Sequence, residues 1–115
     1  MIHPSVNDID RVLSALAEPT RRRVVEMLIE GPRRASDLAA TAGMQPNAMS
    51  RHLRVLRTTG VVEVESAPDD ARERLYRLRP DAFLAMQAWL DQVQAFWSEQ
   101  LGSFKAHADR RGRSR

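Results

Sequence analysis

The sequence contains no cysteine, and this excludes disulfide bonds, thiolate metal ligands and thiol redox sensing. Its five glycines are scattered and do not have the spacing of a phosphate-binding loop. No apolar run is long enough to cross a bilayer. Residues 1–4 also lack the basic start and the apolar stretch of a signal peptide. We therefore expect a cytoplasmic protein that makes no use of a membrane.

Acidic residues are scarce in one segment of the chain. The 115 residues, which suit a single domain, carry a formal charge of only +3 at neutral pH. Between Thr20 and Gly60, however, eight arginines stand against three acids, which leaves this segment at +5. This local excess indicates a polyanionic partner more strongly than the charge of the whole chain does.

Apolar residues recur at helical spacing along most of the chain. The expected helices occupy residues 5–17, 19–30, 36–41, 46–59 and 81–106. Ser5 and Ser36 are the expected N-caps of the first and third helices, because serine side chains accept bonds from free N–H groups. The residues expected on the buried side of the second helix are Val24, Val25, Leu28 and Ile29.

The third and fourth helices, with Gly43 between them, have the pattern of a helix-turn-helix unit. The apolar side of the fourth helix is formed by Met49, Leu53 and Leu56. Its opposite side is formed by Asn47, Arg51, Arg54 and Thr58, and no acid occurs on the helix. Such a face suits entry into the major groove of DNA, where it approaches phosphates and offers donors to base edges. The alternative is a solvated helix that happens to lack acids.

The residues after Gly60 predict a β-hairpin. Residues 61–65 largely alternate, residues 66–71 have turn composition, and residues 72–78 return with Tyr76 and Leu78 inward. A hairpin that directly follows a helix-turn-helix unit is a wing. The sequence therefore predicts a mainly α fold with a small β-hairpin wing, a winged helix-turn-helix. Its expected order is helices 1 and 2, a short strand at residues 33–35, helices 3 and 4, the hairpin and a long C-terminal helix.

The last expected helix is apolar over nearly half its circumference and includes both tryptophans. Such a face is more than one small domain can easily cover, so it predicts a dimer interface, with ordinary core as the alternative. The interface residues expected on this helix are Phe83, Met86, Trp89, Leu90, Val93, Phe96 and Trp97. Residues 107–115 have no pattern and four arginines, so we expect one domain at residues 1–106 and a basic, disordered tail at 107–115.

Three segments resemble those of one known family. Residues 15–22 read Ala-Leu-Ala-Glu-Pro-Thr-Arg-Arg, residues 50–57 read Ser-Arg-His-Leu-Arg-Val-Leu-Arg after Gly43-Met44, and residues 73–78 read Glu-Arg-Leu-Tyr-Arg-Leu. They resemble the opening, the recognition segment and the second wing strand of ArsR/SmtB-type winged helix-turn-helix repressors. The resemblance spans roughly residues 6–104 and implies a homodimer that binds an operator and usually represses transcription. It also implies pairing through the first and last helices, which adds Ile9, Val12 and Leu16 to the interface.

The resemblance also assigns DNA contacts. The residues placed where family side chains reach base edges are Ser50 and Arg51. The residues placed near the phosphate backbone are Arg21, Arg22 and Arg54. The chain departs from the family at Pro46, which displaces a glutamine that often reads a base. That role passes to Gln45 or Asn47, and both are therefore included among the expected base-reading residues.

The wing tip is a second departure from the family. Asp69 and Asp70 stand where relatives often have glycine and arginine. Carboxylates repel phosphate, so we expect the tip itself to stay out of a groove. Arg72 and Arg74, at the start of the second wing strand, are the expected phosphate contacts of the wing.

Many members of the family sense metals, but the residues here do not favour such a site. The cysteine pair is absent, and the last helix offers only His107 and Asp109 close together. Ser50 and His52 diverge by about 200° on a helix, which rules out a Ser–His pair within one chain. We therefore expect no metal, no cofactor and no enzymatic activity. A small apolar effector near Trp89, Phe96 and Trp97 is left open.

The sequence thus predicts a homodimeric, metal-independent repressor that binds a pseudo-palindromic operator in double-stranded DNA. Two alternatives stay open. One is a winged-helix module whose last helix docks another protein, although such a scaffold has no need of an acid-free helix face. The other is an architectural protein that binds DNA without sequence preference.

Overall fold

The computed structural model describes the backbone of residues 6–113 and the side chains of residues 9–109 and 111. Five helices and a small antiparallel sheet form the mainly α architecture that the sequence predicts. In chain order the elements are α1 (Val6–Leu16), α2 (Pro19–Ile29), β1 (Arg33–Arg34), α3 (Ala35–Ala42), α4 (Pro46–Thr58), β2 (Val62–Ala67), β3 (Asp70–Leu78) and α5 (Pro80–Arg113). They divide into two compact units after Ala85.

The core of the first unit is built from α2, α3, α4 and the start of β2. Its fully buried side chains are Val24, Leu38, Met49, Leu53, Leu56, Val61 and Val62. The predicted burial of Val24, Val25 and Leu28 is confirmed, whereas that of Ile29 is wrong, because this last residue of α2 is 69% exposed. Met27 is buried in its place, since it lies one turn from Val24 on the same side of the helix.

The two helices of the helix-turn-helix unit are bounded by glycines in the left-handed conformation. Gly43 has φ 65° and Gly60 has φ 82°, a region that a side chain disfavours. Pro46 is the first residue of α4, as predicted, because a proline there loses no helical bond. Between these residues the predicted apolar side of α4 is confirmed, with Met49, Leu53 and Leu56 at most 1% exposed.

The N-cap predicted at Ser36 is wrong. The helix α3 begins at Ala35, so Ser36 lies within its first turn. The Ser36 hydroxyl instead donates to Oε1 of Glu73 on β3, at 2.9 Å. A hydroxyl that finds a partner on another element is no longer available to cap its own helix. The cap predicted at Ser5 lies outside the described residues.

The sheet has the order β1-β3-β2, and all pairs are antiparallel. Tyr76 sits opposite Arg33 on one side and Val64 on the other, which confirms the predicted short strand and the predicted hairpin. The strands run closer to the tip than expected, so the turn is confined to residues 68–69. Tyr76 is buried and Leu78 half-buried, in line with their predicted inward orientation.

The helix α5 continues through residues 107–113, so the helix end predicted near Ala106 is wrong. Residues 106–111 contain alanine and arginine, which are good helix formers, and cations near a helix C-terminus suit its dipole. The division of the chain at residue 107 stays a prediction. Across the described part of the chain, no helix is both long and apolar enough for a membrane span.

Candidate nucleic-acid interface

Thirteen arginines lie between Arg11 and Arg79, and their partners separate them into groups. Five of them pair with carboxylates. These ion pairs are Arg33 with Glu30 and Asp37, Arg34 with Asp69, Arg72 with Asp70, Arg77 with Glu65, and Arg79 with Asp81. Because a paired arginine has a nearby negative charge, it attracts a phosphate less strongly than a free one.

Two arginines in the first turn of α2 bind the end of α1. Arg21 donates from Nε to the carbonyl oxygen of Ala15 at 2.5 Å. Arg22 donates from Nη1 to the carbonyls of Leu16 and Ala17, at 2.8 and 2.9 Å. The last carbonyls of a helix have no partner within it and form its negative end, so guanidinium groups stabilise them. These two cations at the positive end of α2 therefore have a reason within the chain, and the phosphate role of Arg21 and Arg22 stays a prediction.

Two further arginines, Arg11 and Arg23, also donate to backbone carbonyls. The remaining four are Arg51, Arg54, Arg57 and Arg74. Over residues 9–109, none of these four has a carboxylate within ion-pair distance or a side-chain hydrogen bond, and all four are exposed. Three belong to α4 and one to β3, so the arginines that have neither a carboxylate nor a carbonyl partner among the described side chains lie on these two elements.

All four residues predicted to read bases are exposed. Asn47, Ser50 and Arg51 share with Arg54 the side of α4 that faces away from its buried apolar residues. Gln45 precedes the helix at its N-cap position, without a side-chain capping bond. A helix of 13 residues is roughly 20 Å long, and its exposed face carries donors without any carboxylate. This geometry suits insertion into a major groove about 12 Å wide.

The acidic wing tip is occupied by contacts within the chain. Asp69 pairs with Arg34, and Asp70 accepts the backbone N–H of Arg72 at 3.0 Å. The Arg72 side chain is 94% exposed, with Nε 3.7 Å from Oδ1 of Asp70. Arg74 is exposed, and no ion pair within residues 9–109 includes it. The two predicted wing contacts thus differ. Arg74 has no carboxylate partner within residues 9–109, whereas Arg72 must break its contact with Asp70 before it can bind a phosphate.

A contact that the sequence analysis missed joins α4 to the beginning of α2. His52 of α4 is 22% exposed, with Nδ1 3.7 Å from Oε2 of Glu18 and 3.4 Å from Nη1 of Arg21. Glu18 caps α2 by accepting the backbone N–H of Arg21 at 3.1 Å. Partial burial raises the pKa of the Glu18 carboxyl, but the N–H of Arg21 and the charge of His52 together lower it by more. The pKa of Glu18 therefore lies below the usual 4.5. The only sequence signal was an acid before Pro19, because a carboxylate suits the positive end of a helix.

The predicted dimer residues fall into two groups. On α1, Ile9 and Val12 are buried within the single chain, and Leu16 is half-buried. On α5, Trp89, Leu90, Phe96 and Trp97 are exposed, whereas Phe83, Met86 and Val93 are half-buried. Leu101 and Phe104 extend the exposed apolar surface further along the same helix. The free apolar area is therefore on α5.

Metal-ligating residues are not gathered anywhere in residues 9–109: no three of the histidine, aspartate and glutamate side chains there lie close enough to share an ion. His3 lies outside the described residues. The expectation of a metal-independent protein stays a prediction.

Comparison with known proteins supports the helix-turn-helix assignment. A family model described as "Helix-turn-helix domain" matches residues 16–65. The "HTH-type transcriptional regulator Rv2034" of Mycobacterium tuberculosis is 35% identical over 103 residues, which cover 90% of this chain and 91% of that protein. The second of these comparisons concerns a regulator of transcription.

Solved structures support the same assignment. The "ArsR-like Transcriptional Regulator from Rhodococcus sp. RHA1" aligns with a TM-score of 0.72 at 26% identity, over 86% of this chain and 91% of that one. The homodimeric winged helix-turn-helix DNA-binding domain of Mb0332 from Mycobacterium bovis aligns with a TM-score of 0.62 at 28% identity, over 78% and 80%. These relatives are regulators and not enzymes, which confirms that the chain is not an enzyme. The chain belongs to the ArsR/SmtB-type family of winged helix-turn-helix transcriptional regulators.

Proposed function

We propose that this regulator is a homodimeric repressor that binds a pseudo-palindromic operator in double-stranded DNA without a metal cofactor. The observation that carries the proposal is the distribution of free arginines. Most arginines of the first unit are held by carboxylates or carbonyls, whereas Arg51, Arg54 and Arg57 on α4 and Arg74 on the wing are exposed. Selective pairing of this kind leaves positive charge where a winged helix-turn-helix meets DNA.

Base reading is assigned to four residues at the N-terminal half of α4 and just before it. They are Gln45, Asn47, Ser50 and Arg51, all of them exposed. An amide offers paired donor and acceptor groups that suit adenine, and a guanidinium offers two donors that suit guanine. In recognition helices the N-terminal residues contact base edges, and this favours Asn47 and Ser50 over residues nearer the end of α4.

Phosphate contacts are assigned to the arginines around this face. Arg54 and Arg74 are exposed and free of ion pairs within residues 9–109, so they bind without losing a partner. Arg72 exchanges Asp70 for a phosphate oxygen. Arg21 and Arg22 keep their bonds to the end of α1 and use the remaining donors of guanidinium groups that carry five each.

The homodimer is assigned to the exposed apolar surface of α5. Trp97 is 56% and Phe104 72% exposed, and such exposure of large apolar side chains is unfavourable for a helix that has no partner in water. Ile9 and Val12 have little free surface, so α1 contributes mainly through Leu16. A similar winged helix-turn-helix domain from M. bovis is homodimeric. A two-fold dimer places its recognition helices about 34 Å apart, or at a multiple of that distance, and so reads an inverted repeat.

The proposal also sets where the protein works and how it is controlled. A regulator that binds chromosomal DNA acts in the cytoplasm, where that DNA lies. A repressor blocks transcription when it occupies its operator. A small apolar effector bound among the aromatic residues of α5 is an open means of release, and its identity is not assigned.

Selection of bound sequences from a random duplex pool, followed by titration of the enriched duplex, tests this proposal. We expect an inverted repeat, bound by a dimer at least about a thousandfold more tightly than random duplex. Arg51→Ala should lower the affinity for the selected duplex by about 1–3 kcal/mol for each half-site, the range for a good base contact. Arg77→Ala is the matched control, because Arg77 is paired with Glu65 on the sheet.

Each other outcome supports a different function. Binding with steep salt dependence but no enriched sequence would make the protein an architectural DNA binder. No binding at all would favour a module that docks another protein through α5. Equal affinity of Arg51→Ala and the wild type for the selected duplex would remove Arg51 from the base-reading residues.

A further inference from the structure

The two helices of the helix-turn-helix unit end in the same way. The N–H of Gly43 donates to the carbonyl of Ala40, and the N–H of Met44 to that of Ala39. In α4 the N–H of Gly60 donates to the carbonyl of Arg57, and the N–H of Val61 to that of Leu56. In each turn the glycine N–H thus donates to the carbonyl three residues before it, and the N–H of the next residue donates to the carbonyl five residues before that residue. The glycine itself is in the left-handed conformation.

Neither turn uses the carbonyl that lies two residues before its glycine. These two groups belong to Thr41 in α3 and Thr58 in α4. Both are at the negative end of a helix dipole, where a carbonyl lacks an intrahelical partner. The two C-terminal turns therefore present one equivalent acceptor each, at equivalent positions.

An arginine from outside the unit donates to each of these acceptors. Nη2 of Arg23, on α2, lies 3.1 Å from the carbonyl oxygen of Thr41. Nη2 of Arg11, on α1, lies 3.3 Å from the carbonyl oxygen of Thr58. The second bond joins residues 47 positions apart in the chain. The helix that precedes the recognition helix is thus anchored to α2, and the recognition helix itself is anchored to α1.

We propose that Arg11 and Arg23 are positioning residues, which hold the C-terminal ends of α4 and α3 and thereby set the orientation of the recognition helix. The inference rests on the proposed function, because it concerns how that function reads sequence. A base-edge hydrogen bond needs a donor placed within a few tenths of an ångström, whereas attraction to phosphates acts over a Debye length. A small rotation of α4 therefore lowers sequence specificity more than it lowers general affinity for DNA.

The alternative is that these exposed arginines contact phosphates directly. The two roles give different results. Loss of a phosphate contact weakens binding to every duplex and flattens the dependence of affinity on salt. Loss of a positioning contact weakens binding to the selected duplex only.

The experiment compares Arg23→Ala and Arg11→Ala with the wild type, using the selected duplex and a random duplex at several salt concentrations. We expect the affinity for the selected duplex to fall about three- to tenfold for each protomer, the range for one lost hydrogen bond, with the random-duplex affinity and salt slope unchanged. Lysine at either position should restore most of the preference, because an ammonium can still donate to a single carbonyl. Arg79→Ala is the control, since it removes the same charge from an exposed arginine paired with Asp81.

Amide hydrogen exchange of the free protein supplies a readout that needs no DNA. Arg23→Ala should speed exchange of the Met44 amide about three- to tenfold and leave that of Val61 unchanged. Arg11→Ala should do the reverse, so each variant is the control for the other. If the wild type enriches no sequence, the repressor proposal fails, and these exchange rates decide alone whether the arginines hold the helix ends.

Two results would overturn the inference. One is an equal loss of affinity for both duplexes with a flatter salt slope, which would make the arginines phosphate contacts. The other is unchanged exchange at Met44 and Val61 together with an unchanged preference between duplexes, which would show that the two bonds hold nothing in place.

Discussion

Arg54 offers the sharpest test of whether the free arginines of α4 meet phosphates. It is exposed, has no ion-pair partner among residues 9–109, and lies on the side of α4 opposite Leu53 and Leu56. Arg77 is its matched control, because it carries the same charge on the same unit but is paired with Glu65. If pairing decides which arginines bind DNA, Arg54→Ala and Arg77→Ala must differ although both remove one positive charge.

The expected size of the difference follows from counterion release. Each phosphate contact contributes about −0.9 to the slope of log K against log salt concentration. A homodimer carries two copies of Arg54, so Arg54→Ala should make the slope less steep by about 1.8. Relative to the wild type, the variant should therefore lose about 12-fold more affinity at 50 mM salt than at 200 mM salt. Arg77→Ala should leave the slope close to that of the wild type.

Fluorescence anisotropy with one labelled duplex at four or more salt concentrations gives these slopes directly. Thermal unfolding of each variant confirms that the folded fraction is unchanged at the assay temperature. The reasoning is refuted if both variants flatten the slope equally, because net charge would then matter and pairing would not. An unchanged slope for Arg54→Ala would remove this arginine from the interface.

Three further predictions concern stability and assembly. Leu53→Ala, at a side chain that is 1% exposed, should lower the free energy of unfolding by about 2–5 kcal/mol in urea titrations. Ile29→Ala, at an exposed site, is the control, and a larger loss of unfolding free energy in Ile29→Ala than in Leu53→Ala would contradict the core described. Glu18→Gln should lower the melting temperature at pH 7, because the folded pKa of Glu18 lies below 4.5 and the ionised carboxylate stabilises the fold above that pH. The difference in melting temperature between variant and wild type should vanish as the pH falls through the folded pKa. A difference that persists at pH 2 would refute the ionic origin. Trp97→Asp should convert the proposed dimer into a monomer, as measured by light scattering, and Gln92→Asp on the polar side of α5 is the control. An unchanged mass of the Trp97→Asp variant would exclude Trp97 from the interface.

Local signals in the sequence were sufficient for most helix and strand positions. Pro46 and Gly60 bound α4 because each acts on its own backbone, through a missing N–H in one case and a tolerated positive φ in the other. The period of Met49, Leu53 and Leu56 is likewise a property of neighbouring residues. The acid-free face of α4 follows from that period alone, so the main candidate surface was visible without coordinates.

Tertiary contacts explain the N-cap error and a contact that the sequence did not indicate. Ser36 was predicted to cap α3, but Glu73 from the sheet takes its hydroxyl. Arg21 and Arg22 were predicted to contact phosphate, which stays a prediction, and the structure adds that both donate to carbonyls at the end of α1. Glu18 and His52 are 34 positions apart, and no periodic pattern connects them. A bond between distant segments depends on how helices pack, and packing is not encoded at a fixed spacing.

The sequence by itself determined the family, the order of the elements and the basic, acid-free face of the recognition helix, because these depend on residue identity and on short-range periodicity. Only the tertiary structure decided which arginines are free. Of thirteen guanidinium groups between Arg11 and Arg79, all equal in sequence, nine are placed beside a carboxylate or a helix end, and the four exposed ones lie on α4 and β3. The reason is physical: a nearby carboxylate lowers the attraction of a guanidinium group for phosphate, and only the fold decides which arginines have one within a few ångströms.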